Sequence, residues 1–195
     1  MRKPVIVISL LLIAFSTTAL AESENTIGVG FFIGVQIPEV AGDLAVRERY
    51  DWDYTVLQPT FGWLLSERWE IYLEGNIGWY HFKDKREGGS EDNYTLGLSV
   101  IAAYDFVKFD KWSTFVEGGL GIVYLTDIPE EHGEPLVQKD SFPLLVQFGT
   151  GFKINLGKEY LLKLAYRFTH ISSILRTEEG GLNNHGALVA IVKAF

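Results

Sequence analysis

The sequence predicts an all-β protein, an eight-stranded antiparallel transmembrane β-barrel exported to the outer membrane of a Gram-negative cell. Three observations predict it. The chain opens on an export signal, the rest alternates apolar and polar residues with a period of two, and its connections alternate between tight and long.

The signal reads from three parts. Arg2 and Lys3 form a positive n-region, Val5 to Phe15 is almost entirely apolar, and Ala19-Leu20-Ala21 gives the small-x-small cleavage pattern. The apolar run is too short for a membrane anchor and lacks a basic stop-transfer flank. Cleavage after Ala21 is expected, making residues 1–21 a signal peptide and 22–195 one barrel domain.

Strand-like alternation then recurs. In residues 27–36, Ile27, Val29, Phe31, Ile33 and Val35 share one face, with Gly28, Gly30, Phe32, Gly34 and Gln36 on the other. A second strand, with weaker alternation, is expected at about 54–64. In 69–80, Trp69, Ile71, Leu73, Ile77 and Trp79 oppose Glu70, Tyr72, Glu74, Asn76 and Tyr80. In 94–106, a face from Tyr94 to Phe106 opposes Thr95, Gly97, Ser99 and Asp105. In 114–124, Val116, Leu120 and Ile122 oppose Glu117, Gly119 and Gly121. In 144–156, Leu144, Val146, Phe148, Phe152 and Ile154 oppose Gln147, Lys153 and Asn155. In 160–169, Tyr160, Leu162, Leu164, Tyr166 and Phe168 oppose Lys163, Arg167 and Thr169. The eighth strand, again weaker, is expected at about 185–195. Strands of roughly 10 residues are long enough to cross a bilayer when tilted.

In a soluble sandwich the polar face would meet water. In a membrane barrel the apolar face meets lipid, and Glu70, Glu74, Asp105, Glu117, Lys163 and Arg167 fill a narrow lumen where they can pair. Aromatic residues near strand ends (Trp63, Trp69, Trp79, Tyr104, Tyr160) favour the membrane, as do glycines on the crowded inner face. Connections near 65–68, 107–111 and 157–159 are tight, as periplasmic turns are. Those near 37–50, 81–93, 126–141 and 173–183 are long and polar, as external loops are.

Charge narrows the function classes. The chain carries 17 Lys and Arg against 25 Asp and Glu, and loss of Arg2 and Lys3 leaves 15 against 25. No basic stripe breaks this acidity, which argues against nucleic-acid binding. An exported chain with no cysteine takes its stability from the fold rather than from disulfides. A pore is disfavoured, because eight strands leave little lumen.

The residues that can carry chemistry sit at the end of strand seven. His170 and Ser172 have the parity of Leu164, Tyr166 and Phe168, so both are expected on the lipid face. Polar groups there are costly unless partnered or near the interface. The segment Tyr166-Arg167-Phe168-Thr169-His170-Ile171-Ser172, followed by Gly181-Leu182-Asn183, resembles the end of the lipid A 3-O-deacylase (PagL) family. That resemblance implies an eight-stranded outer-membrane barrel hydrolysing the ester-linked acyl chain at position 3 of lipid A. The family's pattern is His-x-Ser-Asn, a loop, Asn-x-Gly, an aliphatic residue and an orienting residue, usually Glu. On this pattern Ser172 is the nucleophile, His170 the base and Asn183 the orienting residue. Ser173 stands where the family has an asparagine after the serine. The asparagine before the glycine falls near Glu179, and Asn183 replaces the Glu. The two family asparagines are candidates for stabilising an oxyanion. An asparagine can orient a neutral imidazole.

Other candidates are weaker. His185 reads as an interfacial residue. His81 and His132 lie in loops without ligand-spaced partners. The acidic run Asp127-Ile128-Pro129-Glu130-Glu131 reads as a solvated loop, with divalent cations bridging lipopolysaccharide phosphates as the competing use. Glu178 or Glu179 competes with Asn183 for the orienting role. Gly28-x-Gly30 precedes no helix and is not a nucleotide motif.

The expected function is therefore an outer-membrane esterase acting on lipid A, with no cofactor. Its expected partners are lipopolysaccharide, the membrane and, through the terminal Phe195, the barrel assembly machinery. Lys193 is atypical for that assembly signal, and the sequence leaves a homodimer open. The rival is a non-catalytic barrel of the same architecture, either structural or adhesive or an inactive family member.

Overall fold

The computed structural model describes residues 24–36, 50–84, 88–126, 130–131, 134–135, 143–157, 159–172 and 182–195. The expected signal peptide lies outside them. Eight described strands form a closed antiparallel barrel: β1 (Asn25–Gln36), β2 (Tyr50–Leu64), β3 (Trp69–Asp84), β4 (Ser90–Lys108), β5 (Trp112–Leu125), β6 (Leu144–Gly157), β7 (Tyr160–Ser172) and β8 (Leu182–Ala194). Each pairs with its chain neighbours, and β1 pairs with β8 to close the ring. A two-residue ladder, Glu130–Glu131 with Glu134–Pro135, stands apart from the barrel.

Register fixes the barrel's shape. Stepping across partners from Trp69 leads through Tyr104, Val116, Thr150, Tyr166, Ala187, Ile33 and Thr55. The last step, from Thr55, lands on Trp79. One circuit therefore returns to β3 ten residues above its start. A shear of ten on eight strands sets a tilt of about 40° and a radius of about 8 Å, a width that side chains fill. Each residue then rises about 2.5 Å along the barrel axis, so Trp69 and Trp79 stand about 25 Å apart, the height of an outer-membrane apolar band.

The two faces separate as the period-two pattern requires. Ile27, Val29, Phe31, Ile33, Leu73, Ile77, Leu98, Leu120 and Ile191 are exposed outward. At the turn end, aromatic pairs ring the barrel: Phe61 with Trp63, Trp69 with Tyr104, and Phe109 with Trp112. The tight connections 65–68, 109–111 and 158–159 lie at this end. The last of these follows Gly157, whose φ of 117° is left-handed and suits glycine.

Inside, the lower barrel is a salt-bridged network. The Arg167 guanidinium donates to both Glu74 oxygens (2.9 and 2.8 Å), to Glu117 Oε1 (2.7 Å from Nη2), to Gln58 and to Gln147. Lys163 holds Glu117 Oε2 and the Tyr72 hydroxyl. Lys153 bridges Glu70 at 3.2 Å and Asp105 at 2.8 Å. Glycine makes the room: a Cβ on Gly149 would stand 2.7 Å from Glu117 Oε1. The upper barrel is instead aromatic. Tyr54 stacks on Tyr80 at 4.1 Å, and Trp52 and Phe82 pack above them. Among the described residues these side chains fill the lumen, and a space lined by Tyr72, Lys163 and Arg167 holds about 20 Å³.

One connection differs from expectation. The loop placed at 81–93 shrinks to 85–89, because β3 and β4 continue past the membrane level. Their extension is held by pairing of Tyr80 with Asn93, His81 with Asp92 and Phe82 with Glu91, and Phe82 turns inward to cap the aromatic stack. His81 is accordingly a strand residue, not a loop residue.

Candidate active site

Strand β7 alternates inward Lys163, Ala165, Arg167, Thr169 and Ile171 with outward Tyr166, Phe168, His170 and Ser172. The inward members are buried by the lumen, which leaves the outward set facing lipid at the end away from the turns. Register places His170 between Val146 on β6 and Asn183 on β8. Ser172 lies one outward position higher, opposite Leu144.

His170 and Asn183 meet. His170 Nδ1 and Asn183 Oδ1 are 2.6 Å apart. Oδ1 only accepts, so this contact puts the imidazole proton on Nδ1 and leaves the Nε2 lone pair free. Asn183 has outward parity yet is only 8% exposed. Ser172 is half-buried and makes no hydrogen bond to His170. The two residues are separated by about 6.6 Å of strand rise, close enough for their side chains to converge on a bound group.

The depth of this trio follows from the barrel's geometry. His170 and Asn183 each lie four residues above the Tyr166–Ala187 row. They therefore stand about 22–26 Å above Trp69, level with Trp79, with Ser172 slightly higher. This is the boundary between hydrocarbon and headgroups.

Behind the trio the wall is locked. Asn184 is fully buried, and its side chain accepts from Trp52 Nε1 (2.9 Å) and donates to the Tyr80 hydroxyl (2.7 Å) and to Thr169 Oγ1 (3.2 Å). It ties β8 to β7, β3 and β2 one residue away from Asn183. Sequence reasoning missed this residue, although its inward parity on an apolar-rich strand was a visible signal.

The remaining candidates fall elsewhere. His185 turns outward two residues below Asn183, and its Nδ1 is 2.7 Å from the Tyr166 hydroxyl. His81 pairs with Asp92 across β3 and β4. His132, Ser173, Glu178, Glu179, Gly181 and residues 127–129 lie outside the described residues. Among the described residues, no group of three or more His, Cys, Asp or Glu side chains is placed to hold a metal ion.

Comparison with known proteins supplies the relatives. The sequence model described as "Lipid A 3-O-deacylase (PagL)" matches residues 45–191. Among solved structures, the outer membrane enzyme PagL superposes with a TM-score of 0.56 at 15% identity, covering 84% of this chain and 97% of that one. Neisserial surface protein A gives 0.56 at 12% identity, covering 88% and 97%. The outer membrane protein OprG from Pseudomonas aeruginosa gives 0.53 at 12%, covering 89% and 97%. At these identities the likeness is one of fold. A search of curated proteins finds no match.

Proposed function

Because the chain belongs to the lipid A 3-O-deacylase (PagL) family, we propose that it is an outer-membrane esterase that hydrolyses the ester-linked acyl chain at position 3 of lipid A. The observation that carries this reading is the 2.6 Å contact between His170 Nδ1 and Asn183 Oδ1, with Ser172 on the same face of β7 at the headgroup boundary. An acyl ester of a membrane glycolipid sits at that boundary, so a nucleophile that cuts it must face lipid rather than the lumen.

The reaction runs in two halves. Ser172 Oγ attacks the acyl carbonyl carbon while His170 Nε2 takes the hydroxyl proton. The carbon–oxygen bond to the sugar breaks, and the same proton passes to the leaving sugar oxygen. Water then attacks the acyl-serine, again deprotonated by His170, and the fatty acid leaves with Ser172 restored. Asn183 holds the imidazole in the tautomer that this requires. Being neutral, it does not offset the imidazolium charge as the family's usual Glu does. In sequence, Ser173 takes the place of an oxyanion asparagine, a hydroxyl where the family has an amide.

A lipid phosphonate tests the reading. The folded protein in micelles gains one covalent phosphonyl adduct, mapped by peptide mass to Ser172, and Ser172→Ala gains none. Equal labelling of both, or none of the native protein, contradicts it.

A further inference from the structure

Between the two aromatic levels the outward wall is apolar, with few described exceptions. Thr150 bonds the carbonyl of Phe115 and is satisfied by its own wall. Well inside the band, the others are Tyr166 and His185. Tyr166 is 57% exposed and starts about half-way down the band. Its ring rises toward His185, meets it edge-on at 5.8 Å between centroids, and places its hydroxyl 2.7 Å from His185 Nδ1. This satisfies the phenol. It leaves His185 Nε2 without a hydrogen-bond partner among the described residues, in a region where an unpaired polar atom costs free energy.

The position of this orphan atom is informative. Asn183 and His185 are two residues apart on the outward face of β8, so His185 lies about 5 Å membrane-ward of Asn183. An acyl chain cut by Ser172 descends along this wall from its carbonyl. Its β-carbon lies two bonds from that carbonyl, on the side of the ester that faces His185. Phe168 is the register partner of His185 and flanks the path with an apolar ring.

Resting on the reading of Ser172 as nucleophile, we infer that His185, held by Tyr166, is a specificity residue that binds the hydroxyl of a 3-hydroxyacyl chain. A hydroxyl fits because it both donates and accepts. Where the Tyr166 hydroxyl donates to Nδ1, Nε2 carries the proton and donates to the substrate. Where Nδ1 donates to Tyr166, Nε2 accepts. An unsubstituted chain leaves the nitrogen unpaired in lipid, so the preference has the asymmetric character of a site built for a polar group.

The test compares two synthetic glycolipids in the same detergent, one carrying a 3-hydroxymyristoyl ester and one a myristoyl ester at the same sugar position. The native protein is expected to favour the hydroxylated ester by about tenfold in kcat/KM. His185→Phe and Tyr166→Phe are expected to bring that ratio to near one. Equal rates for the two esters with the native protein overturn the inference while sustaining the esterase. A native preference that survives both substitutions overturns it as well. If the native barrel cleaves neither ester, the esterase reading falls, and this inference with it.

Discussion

The inward and outward faces of β7 carry polar residues in opposite conditions. Inward, Arg167 donates to two carboxylates, two amides and a tyrosine, and Lys163 has two partners within 2.7 Å. Outward, Tyr166, His170 and Ser172 face lipid, and among the described residues the side-chain bonds of the first two run to β8. The inner set is closed among the described residues: each charge is answered by another. The outer set is open among the described residues, with an imidazole nitrogen and a hydroxyl that have no described partner at the depth of an ester. Saturated polarity builds the barrel, and unsaturated polarity is where we place the proposed site.

The comparison predicts a clean division between variants. Ser172→Ala is expected to lower deacylation by roughly 10³-fold or more while shifting stability by no more than about 0.5 kcal/mol, read by lipid A turnover beside urea unfolding. Arg167→Met is expected to do the reverse in kind. It strands the Glu74 and Glu117 carboxylates and costs about 3–5 kcal/mol of stability, seen as a lower urea midpoint of the folded gel band. Comparable loss of stability from both would erase the distinction between the faces. Asn184→Ala falls between them, because it sits inside yet backs the site. Unpairing Trp52 Nε1 and the Tyr80 hydroxyl is expected to cost about 1–3 kcal/mol, together with a fall in kcat larger than any change in KM. Asn183→Glu sharpens the outer half: a carboxylate offsets the imidazolium, and kcat is expected to rise by about tenfold. At the bottom of the scale, Lys83→Ala breaks an exposed ion pair with Asp53 and is expected to move stability by at most about 0.5 kcal/mol.

Much of this was legible in the sequence because it is local. Alternation with a period of two is a property of each segment, and it separates Ile27 from Gly28, or Glu70 from Ile71, with no knowledge of neighbours. It also places His170 and Ser172 outward. Which charges meet is another matter. Arg167 and Glu74 are 93 residues apart in sequence, and their contact depends on the shear of the whole ring. The same holds for Asn184 reaching Trp52 across 132 residues. The extension of β3 and β4 was hidden because His81, Lys83 and Asp92 look like loop residues. Above the membrane level, a strand's outward face is free to be polar. Tyr166 and His185 were each visible as residues, but their pairing needed the register of β7 against β8.

The outward trio is proposed to cut an acyl ester of lipid A. Mass spectrometry of lipid A from cells expressing the native barrel, beside cells expressing Ser172→Ala, tests it most directly. Loss of one acyl chain is expected with the native protein, and intact lipid A with the variant. Fully acylated lipid A from both, with each barrel folded in the outer membrane, would contradict it.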